Sequence, residues 1–280
     1  MREYQITAFE ELFSQKYELV MPLPPELATI YGHLSFPGLE KKPYVIGNFV
    51  STIDGVVTLN VPGHNASAEI SGSNILDHIL MGILRAIADA IIVGAGTLRE
   101  ASKHKWTASY IYPPLADAYQ LLRSNLGKPE APLNVFVTRL GNVDFDMPVF
   151  QSSDIPVLII TTKQGYDHIK TQSIPPSVQI ASVESNKSLS AKAILKEVTR
   201  IRACDVILTE GGPQLFGDFL SEKCLHELFL TLAPQIAGRD QQISRDGIVS
   251  GKIFAPEHPL WGKLISVKRG GSHLFLRYAF

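Results

Sequence analysis

A-D-A-I-I-V-G-A-G-T-L-R, residues 88–99, decides the fold. Its apolar run, Ala90 to Val93, ends on Gly94 and Gly96, the pattern of a buried strand passing directly into a turn. Upstream, Ile75, Leu76, Ile79, Leu80, Ile83, Leu84 and Ile87 recur at intervals of one and three. That spacing lays them along one stripe of a 3.6-residue helix. Ser71 or Ser73 stands where a cap is needed, and Asp77 suits the positive end of the helix dipole. Helix, strand and glycine turn in succession form the unit from which parallel sheets are built.

The unit repeats on both sides. P-Y-V-I-G-N-F-V-S, from Pro43, has the β-branched and aromatic density of a buried strand, and Asp54-Gly55 follows as a turn. Further strands are predicted over 133–138, 157–161, 178–181 and 205–209, with helices over 115–124, 164–171, 189–201 and 213–223. The end of the chain differs. E-L-F-L-T-L-A-P, G-K-L-I-S-V-K and H-L-F-L-R-Y-A-F read as strands with no helix between them. The expected class is therefore α/β, a mostly parallel central sheet flanked by helices with an antiparallel C-terminal edge. Residues 1–40 hold two short amphipathic stretches around a proline cluster and read as an extension packing on the domain or on a partner subunit. Residues 41–280 read as one domain.

Composition narrows the function classes. Lys and Arg total 26 against 27 Asp and Glu, a formal net charge of −1, whereas a dedicated nucleic-acid binder carries a basic excess or face. No stretch approaches the ~20 uninterrupted apolar residues of a membrane helix. The N-terminal M-R-E-Y-Q-I-T-A-F-E-E-L-F lacks the apolar centre of a secretory signal, so the expected location is cytoplasmic. Cys204 and Cys224 make no C-x-x-C pair, and the eight histidines form neither H-E-x-x-H nor an H-x-E with a following P-C-x-x-C. No metal site is expected.

Two strand-to-helix junctions carry the chemistry. One holds Gly94, Gly96 and Thr97; the other, L-T-E-G-G-P-Q-L, holds Glu210, Gly211 and Gly212 ahead of Pro213. Proline at the first helical position with glycine before it leaves N–H groups pointing out of the helix, where a diphosphate can come close. In open α/β sheets such junctions sit at the carboxyl edge, where ligands bind. G-A-G-T-L-R departs from G-x-G-x-x-G at Arg99, and each glycine pair alone also fits a tight turn without a ligand. A third piece, N-V-F-V-T-R, ends a strand on Thr138 and Arg139. An arginine there suits the 2′-phosphate that separates NADPH from NADH; the alternative is a solvated surface residue.

In order, these pieces resemble the pyrimidine reductase domain of riboflavin biosynthesis, a relative of the dihydrofolate reductase fold, over roughly Pro43 to Phe280. P-Y-V-I-G-N-F-V-S-T-I-D-G is similar to that family's first strand and turn. L-R-A-I-A-D-A-I-I-V-G-A-G-T is similar to its second strand and cofactor loop. L-T-E-G-G-P-Q-L with E-L-F-L-T-L-A-P-Q-I-A-G is similar to its cofactor turn and the strand after it. The resemblance implies a dihydrofolate-reductase-like fold, a homodimer, NADPH as cofactor, and reduction of the ribosyl group of 5-amino-6-(5-phosphoribosylamino)uracil. It implies that Gly94, Gly96, Thr97, Glu210, Gly211, Gly212 and Leu215 line the NADPH site, that Asn48 faces substrate, and that Thr52 and Asp54 form its S-x-D-G turn. Asp54 is the one acid a motif carries and is the expected catalytic group, though Asp-Gly is a common turn in its own right. Asn48 reads equally as a buried amide bonded to backbone.

Two features depart from the family. The segment that reads D-N-P-x-L-T in relatives is R-E-A-S-K-H-K-W-T-A-S-Y here, and no zinc deaminase motif precedes the reductase part. A pterin or another pyrimidine as substrate, or an NADPH-binding protein without turnover, therefore stay open. Lys103, His104 and Lys105 in the altered segment suit a substrate phosphate or a solvated loop.

Overall fold

The computed structural model describes residues 6–38, 43–61, 66–184, 189–240 and 245–280; parts of the expected N-terminal extension, 1–5 and 39–40, lie outside them. The chain begins with β1 (Glu10–Ser14), β2 (Leu19–Val20), α1 (Pro25–Tyr31), β3 (Ser35–Phe36), β4 (Tyr44–Thr52), α2 (Ala66–Ser71), α3 (Ile75–Ile87) and β5 (Ala90–Gly94). It continues through α4 (Ala95–Glu100), α5 (Ala108–Ile111), α6 (Ala116–Asn125), β6 (Leu133–Thr138), α7 (Pro148–Gln151), β7 (Val157–Thr162), α8 (Lys163–Ile169) and β8 (Val178–Val183). Last come α9 (Ala191–Ile201), β9 (Val206–Thr209), α10 (Pro213–Ser221), β10 (Glu227–Ala233), β11 (Lys263–Gly270) and β12 (His273–Ala279).

A ten-stranded sheet in the order β1-β11-β12-β10-β4-β9-β5-β6-β7-β8 organises the molecule. Every neighbouring pair from β10 to β8 is parallel. The β10–β12, β12–β11 and β11–β1 pairs are antiparallel, which gives the mostly parallel sheet and antiparallel edge read from the sequence. β6 and β7 are buried at every position, because helices cover both faces and leave no side for polar alternation. Successive residues divide between the faces. Ile46, Ile91, Val93 and Leu208 pack with Ile79, Ile83 and Ile87 of α3. Val45, Ile92 and Ile207 pack with α9 and α10 through Ile194, Val198, Phe216 and Phe219.

The start of α3 differs from expectation. Asn74, not Ser71 or Ser73, is its cap, with Oδ1 accepting from Leu76 N at 2.9 Å and Asp77 N at 3.2 Å. Ser71 already ends α2, a short helix unmarked by periodicity, and Gly72 and Ser73 turn the chain through positive φ (61° and 52°). The far end of α3 is held by Arg123 of α6, whose Nη1 donates to the carbonyls of Arg85, Ala86 and Ala88. A cation there satisfies carbonyls that a helix leaves free and meets the negative end of its dipole. The proline-bounded helix near 115–124 thus locks α3 in place beside the sheet.

Phe9 makes edge contacts with Tyr31 and Phe275, at 5.1 and 4.8 Å between centroids, and β1 lies along β11. Among the described residues no helix is long and apolar enough to cross a membrane.

Candidate active site

A cleft of about 860 Å³ opens where β4, β5, β6 and β9 end, at the carboxyl edge of the parallel strands. Its first wall is backbone. Gly94 caps α4 and Gly212 caps α10, on neighbouring strands, and Gly212 N donates to Thr97 Oγ1 at 3.2 Å, which ties the turns together. A Cβ placed on Gly96 would meet nothing within 4 Å, so that position opens onto free space inside the cleft. The absent side chain leaves room for a group that must approach the α4 and α10 N-termini closely.

Gly211 is different. It does not line the cleft, and a Cβ there would sit 2.7 Å from Leu215 Cδ2 and 3.0 Å from Gly94 N. Its lack of a side chain serves the packing of the two turns.

The second wall is a polar stripe on α3. Asp77, Met81 and Arg85 recur every four residues, with His78 beside them, and all four line the cleft. Arg85 clasps Glu210 through Nε–Oε1 at 2.8 Å and Nη2–Oε2 at 2.7 Å, with only 2% and 8% of the two side chains exposed. Arg85 Nη1 also lies 2.8 Å from His104 Nε2 and donates to the Thr107 carbonyl. Burial, with Arg85 and His78 adding to it, pushes His104 down to about 2, so the ring is neutral and its Nε2 accepts from the guanidinium. Burial and Arg85 also lower His78.

Burial pushes the Asp77 carboxyl up to about 6, eased by Thr231 and reinforced by the Glu210 charge. Its folded value lies above the ordinary 3.8, so its stabilising contribution is present below the unfolded value and is lost as pH rises through about 6. Asp77→Asn cannot ionise. It is expected to raise stability at pH 8 by about 2–3 kcal/mol and to change it little at pH 3, as urea melts at the two pH values would show.

Of the residues singled out in the sequence, Asn48, Gly94, Gly96, Thr97, Thr138, Arg139, Glu210, Gly212 and Leu215 line this cleft. Thr138 and the exposed Arg139 end β6, next to β5 and its glycine turn. The Glu210 carboxylate is fully engaged by Arg85, so what it does is hold that guanidinium.

Thr52 and Asp54 are not brought to the cleft. Asp54 accepts from Thr52 Oγ1 at 2.6 Å, Ala237 N at 3.1 Å and Gly238 N at 2.8 Å, tying its turn to the segment after β10. These bonds, Thr52's foremost, hold its carboxyl down at about 2. An acid so low is a carboxylate at neutral pH. In the altered segment Lys103 and Lys105 stay outside the cleft wall, while His104, Trp106 and Tyr110 enter it. His104 packs edge-on against Trp106 and Tyr110, at 5.0 and 4.9 Å, and Trp106 against Phe136 of β6. Reading the sequence missed His78 and Arg85, and gave Asp77 only a role at the helix dipole and His104 only a place in a basic cluster. The available signal was two charges, eight residues apart, in a helix otherwise apolar on its inner face.

An open α/β sheet with glycine turns and a polar pocket at its carboxyl edge has the arrangement in which such sheets bind ligands. Residues 43–267 match the RibD C-terminal domain, and the chain belongs to that family. It is 23% identical over 211 residues to the riboflavin biosynthesis protein RibD of Aquifex aeolicus, covering 75% of this chain and 52% of that protein. It is 28% identical over 205 residues to the RibD of Chlamydia trachomatis, covering 73% and 49%. The chain thus spans about half the length of these curated relatives.

Among solved structures, a pyrimidine reductase-like protein of Corynebacterium diphtheriae superposes with a TM-score of 0.64 at 22% identity, covering 90% of this chain and 97% of that one. A diaminohydroxyphosphoribosylaminopyrimidine deaminase/5-amino-6-(5-phosphoribosylamino)uracil reductase of Thermotoga maritima gives 0.61 at 21% identity, covering 86% and 57%. These likenesses show a shared fold.

Proposed function

We propose that this chain is an NADPH-dependent reductase of a small phosphorylated heterocycle, with 5-amino-6-(5-phosphoribosylamino)uracil as its substrate. One observation carries the reading: the cleft that opens at Gly96 also contains Asn48, whose buried Oδ1 has no hydrogen-bond partner in the protein. Buried polar atoms are rarely left unmet, so a cradle and an unsatisfied amide in one cleft fit a cofactor and a polar substrate side by side. Family membership and the reductase activity named for the Thermotoga protein support the same chemistry.

The Gly94–Thr97 turn and the Gly212 end of α10 would hold the cofactor's diphosphate, and Arg139 its 2′-phosphate. When bound, NADPH supplies a hydride. Asn48 orients the heterocycle through its amide, and Trp106, Tyr110, Ile111 and Leu215 shield the cleft from water. Arg85, fixed by Glu210 and His104, keeps the α3 wall at a set distance from the β9 turn.

Arg139→Ala is expected to weaken NADPH binding by about 1.5–3 kcal/mol while leaving NADH binding nearly unchanged. Fluorescence titration with both cofactors checks this, and equal losses would remove Arg139 from the site. A different heterocycle as substrate is the second reading, favoured by the aromatic wall that His104, Trp106 and Tyr110 make of the altered segment. A homodimer fits the exposed Leu12 and Phe13 on edge strand β1 and the exposed Trp261. Light scattering should then give twice the chain mass of 30.8 kDa.

A further inference from the structure

Asn48 and Thr231 lie on the face of β4 and β10 that α3 covers, in line with Ile46 and Phe229. Asn48 Oδ1 is buried without a hydrogen-bond partner. Asp77, on the first turn of α3, comes down over them beside Thr231 and lines the cleft with Asn48; its residue is 4% exposed. Among the described residues no cation is paired with it. Arg85, the nearby guanidinium on the same helix, is bound in both directions to Glu210. Burial and Arg85 lower His78, and with His78's own charge they lower His104 to about 2. His273 of β12 is engaged at the helix cap by Asn74 and the Ser71 carbonyl.

Two further acids are excluded by their bonding. Glu210 is an ion-paired carboxylate, Asp54 is a carboxylate clamped outside the cleft, and a neutral imidazole has no acidic proton to give. Glu100, Asp218 and Asp246 also line the cleft, but among the described residues Asp77 is the one lining carboxyl that is buried, and no cation is paired with it.

We propose that Asp77 is the proton donor of the reduction, passing its proton to the substrate nitrogen as the adjacent carbon is reduced. This rests on the reductase reading above. C1′ of the ring-opened ribosylamine takes the hydride and forms a new C–H bond. The π pair of the C1′=N bond moves to nitrogen, which forms an N–H bond as the Asp77 O–H bond breaks. The substrate is reduced by two electrons, the cofactor leaves oxidised, and the Asp77 carboxylate regains its proton from water. Asn48 Oδ1 accepts a hydrogen bond from the heterocycle and holds the nitrogen within reach.

The test uses the full chain. Infrared titration of the ligand-free protein should show a protonated carboxyl that titrates near 6 and is missing in Asp77→Asn; no such band overturns the proposal. With saturating NADPH and the phosphoribosylamino-pyrimidine, Asp77→Asn should lower the single-turnover rate about 100-fold or more while NADPH affinity stays within about twofold. The wild-type rate should fall as pH rises, and that alkaline limb should vanish in the variant. Asp77→Ser replaces Asn if the latter does not fold. A variant within about threefold of wild type overturns the proton donor alone. Wild-type protein that binds NADPH yet leaves the pyrimidine unreduced overturns the reductase reading, and the donor with it.

Discussion

Glu210→Ala is expected to cost about 3–5 kcal/mol of folding stability. The reason is what remains. Arg85 is 2% exposed, and without the carboxylate its charge keeps only a neutral imidazole and one carbonyl as partners in a site that water barely reaches. Truncating one member of a buried pair leaves the other ion desolvated and uncompensated, and that penalty exceeds what the pair itself contributes. Arg85→Met combined with Glu210→Leu should therefore recover most of the loss, since apolar residues of similar volume often replace a buried pair at little cost. Urea denaturation of the two single variants and the double variant closes the cycle. A loss below about 1 kcal/mol for Glu210→Ala would mean that Arg85 finds water, contradicting the closed geometry described for the β9 turn.

Gly96→Leu should leave the fold intact and weaken NADPH binding at least about 100-fold, close to 2.7 kcal/mol. The space above Gly96 is free of protein atoms, so a leucine meets no resistance from the chain and fills the volume that the diphosphate needs. Gly211→Ala makes the contrast. Its Cβ would press on Leu215 and on the Gly94 backbone, so stability falls first and cofactor affinity follows. Melting curves and fluorescence titration of both variants separate the roles. A Gly96→Leu protein that binds NADPH as well as wild type would remove the cradle from the site.

The strand-helix alternation was legible because the central strands are apolar on both faces and end on glycines. β6 runs over the predicted residues, and β5 ends in the predicted turn. The short helices α2, α4 and α5 were not legible, since six residues or fewer carry too little periodicity to stand out from a loop. In the site, the glycine turns announced themselves through missing side chains, which leave open space at Gly96 and allow close packing at Gly211. The polar wall did not. Asp77 was read only as a charge suited to the positive end of the helix dipole, and the sheet beneath it makes it a buried acid. Glu210 was found by its motif neighbours, but its pairing with Arg85, 125 residues away in the chain, was not legible. Asp54 shows the converse, a motif acid whose bonds all serve a loop junction.

The central claim, that this cleft carries hydride from NADPH to a phosphorylated aminopyrimidine, is tested most directly by following deuterium. NADPH labelled at C4 of its nicotinamide is incubated with the purified chain and 5-amino-6-(5-phosphoribosylamino)uracil, and the product is analysed by mass and by NMR. The account predicts a ribityl product two hydrogens heavier than the substrate, with the label on C1′ and one cofactor oxidised per product formed. Unchanged substrate in the presence of tightly bound NADPH, or oxidation of the cofactor with no label at C1′, would contradict it.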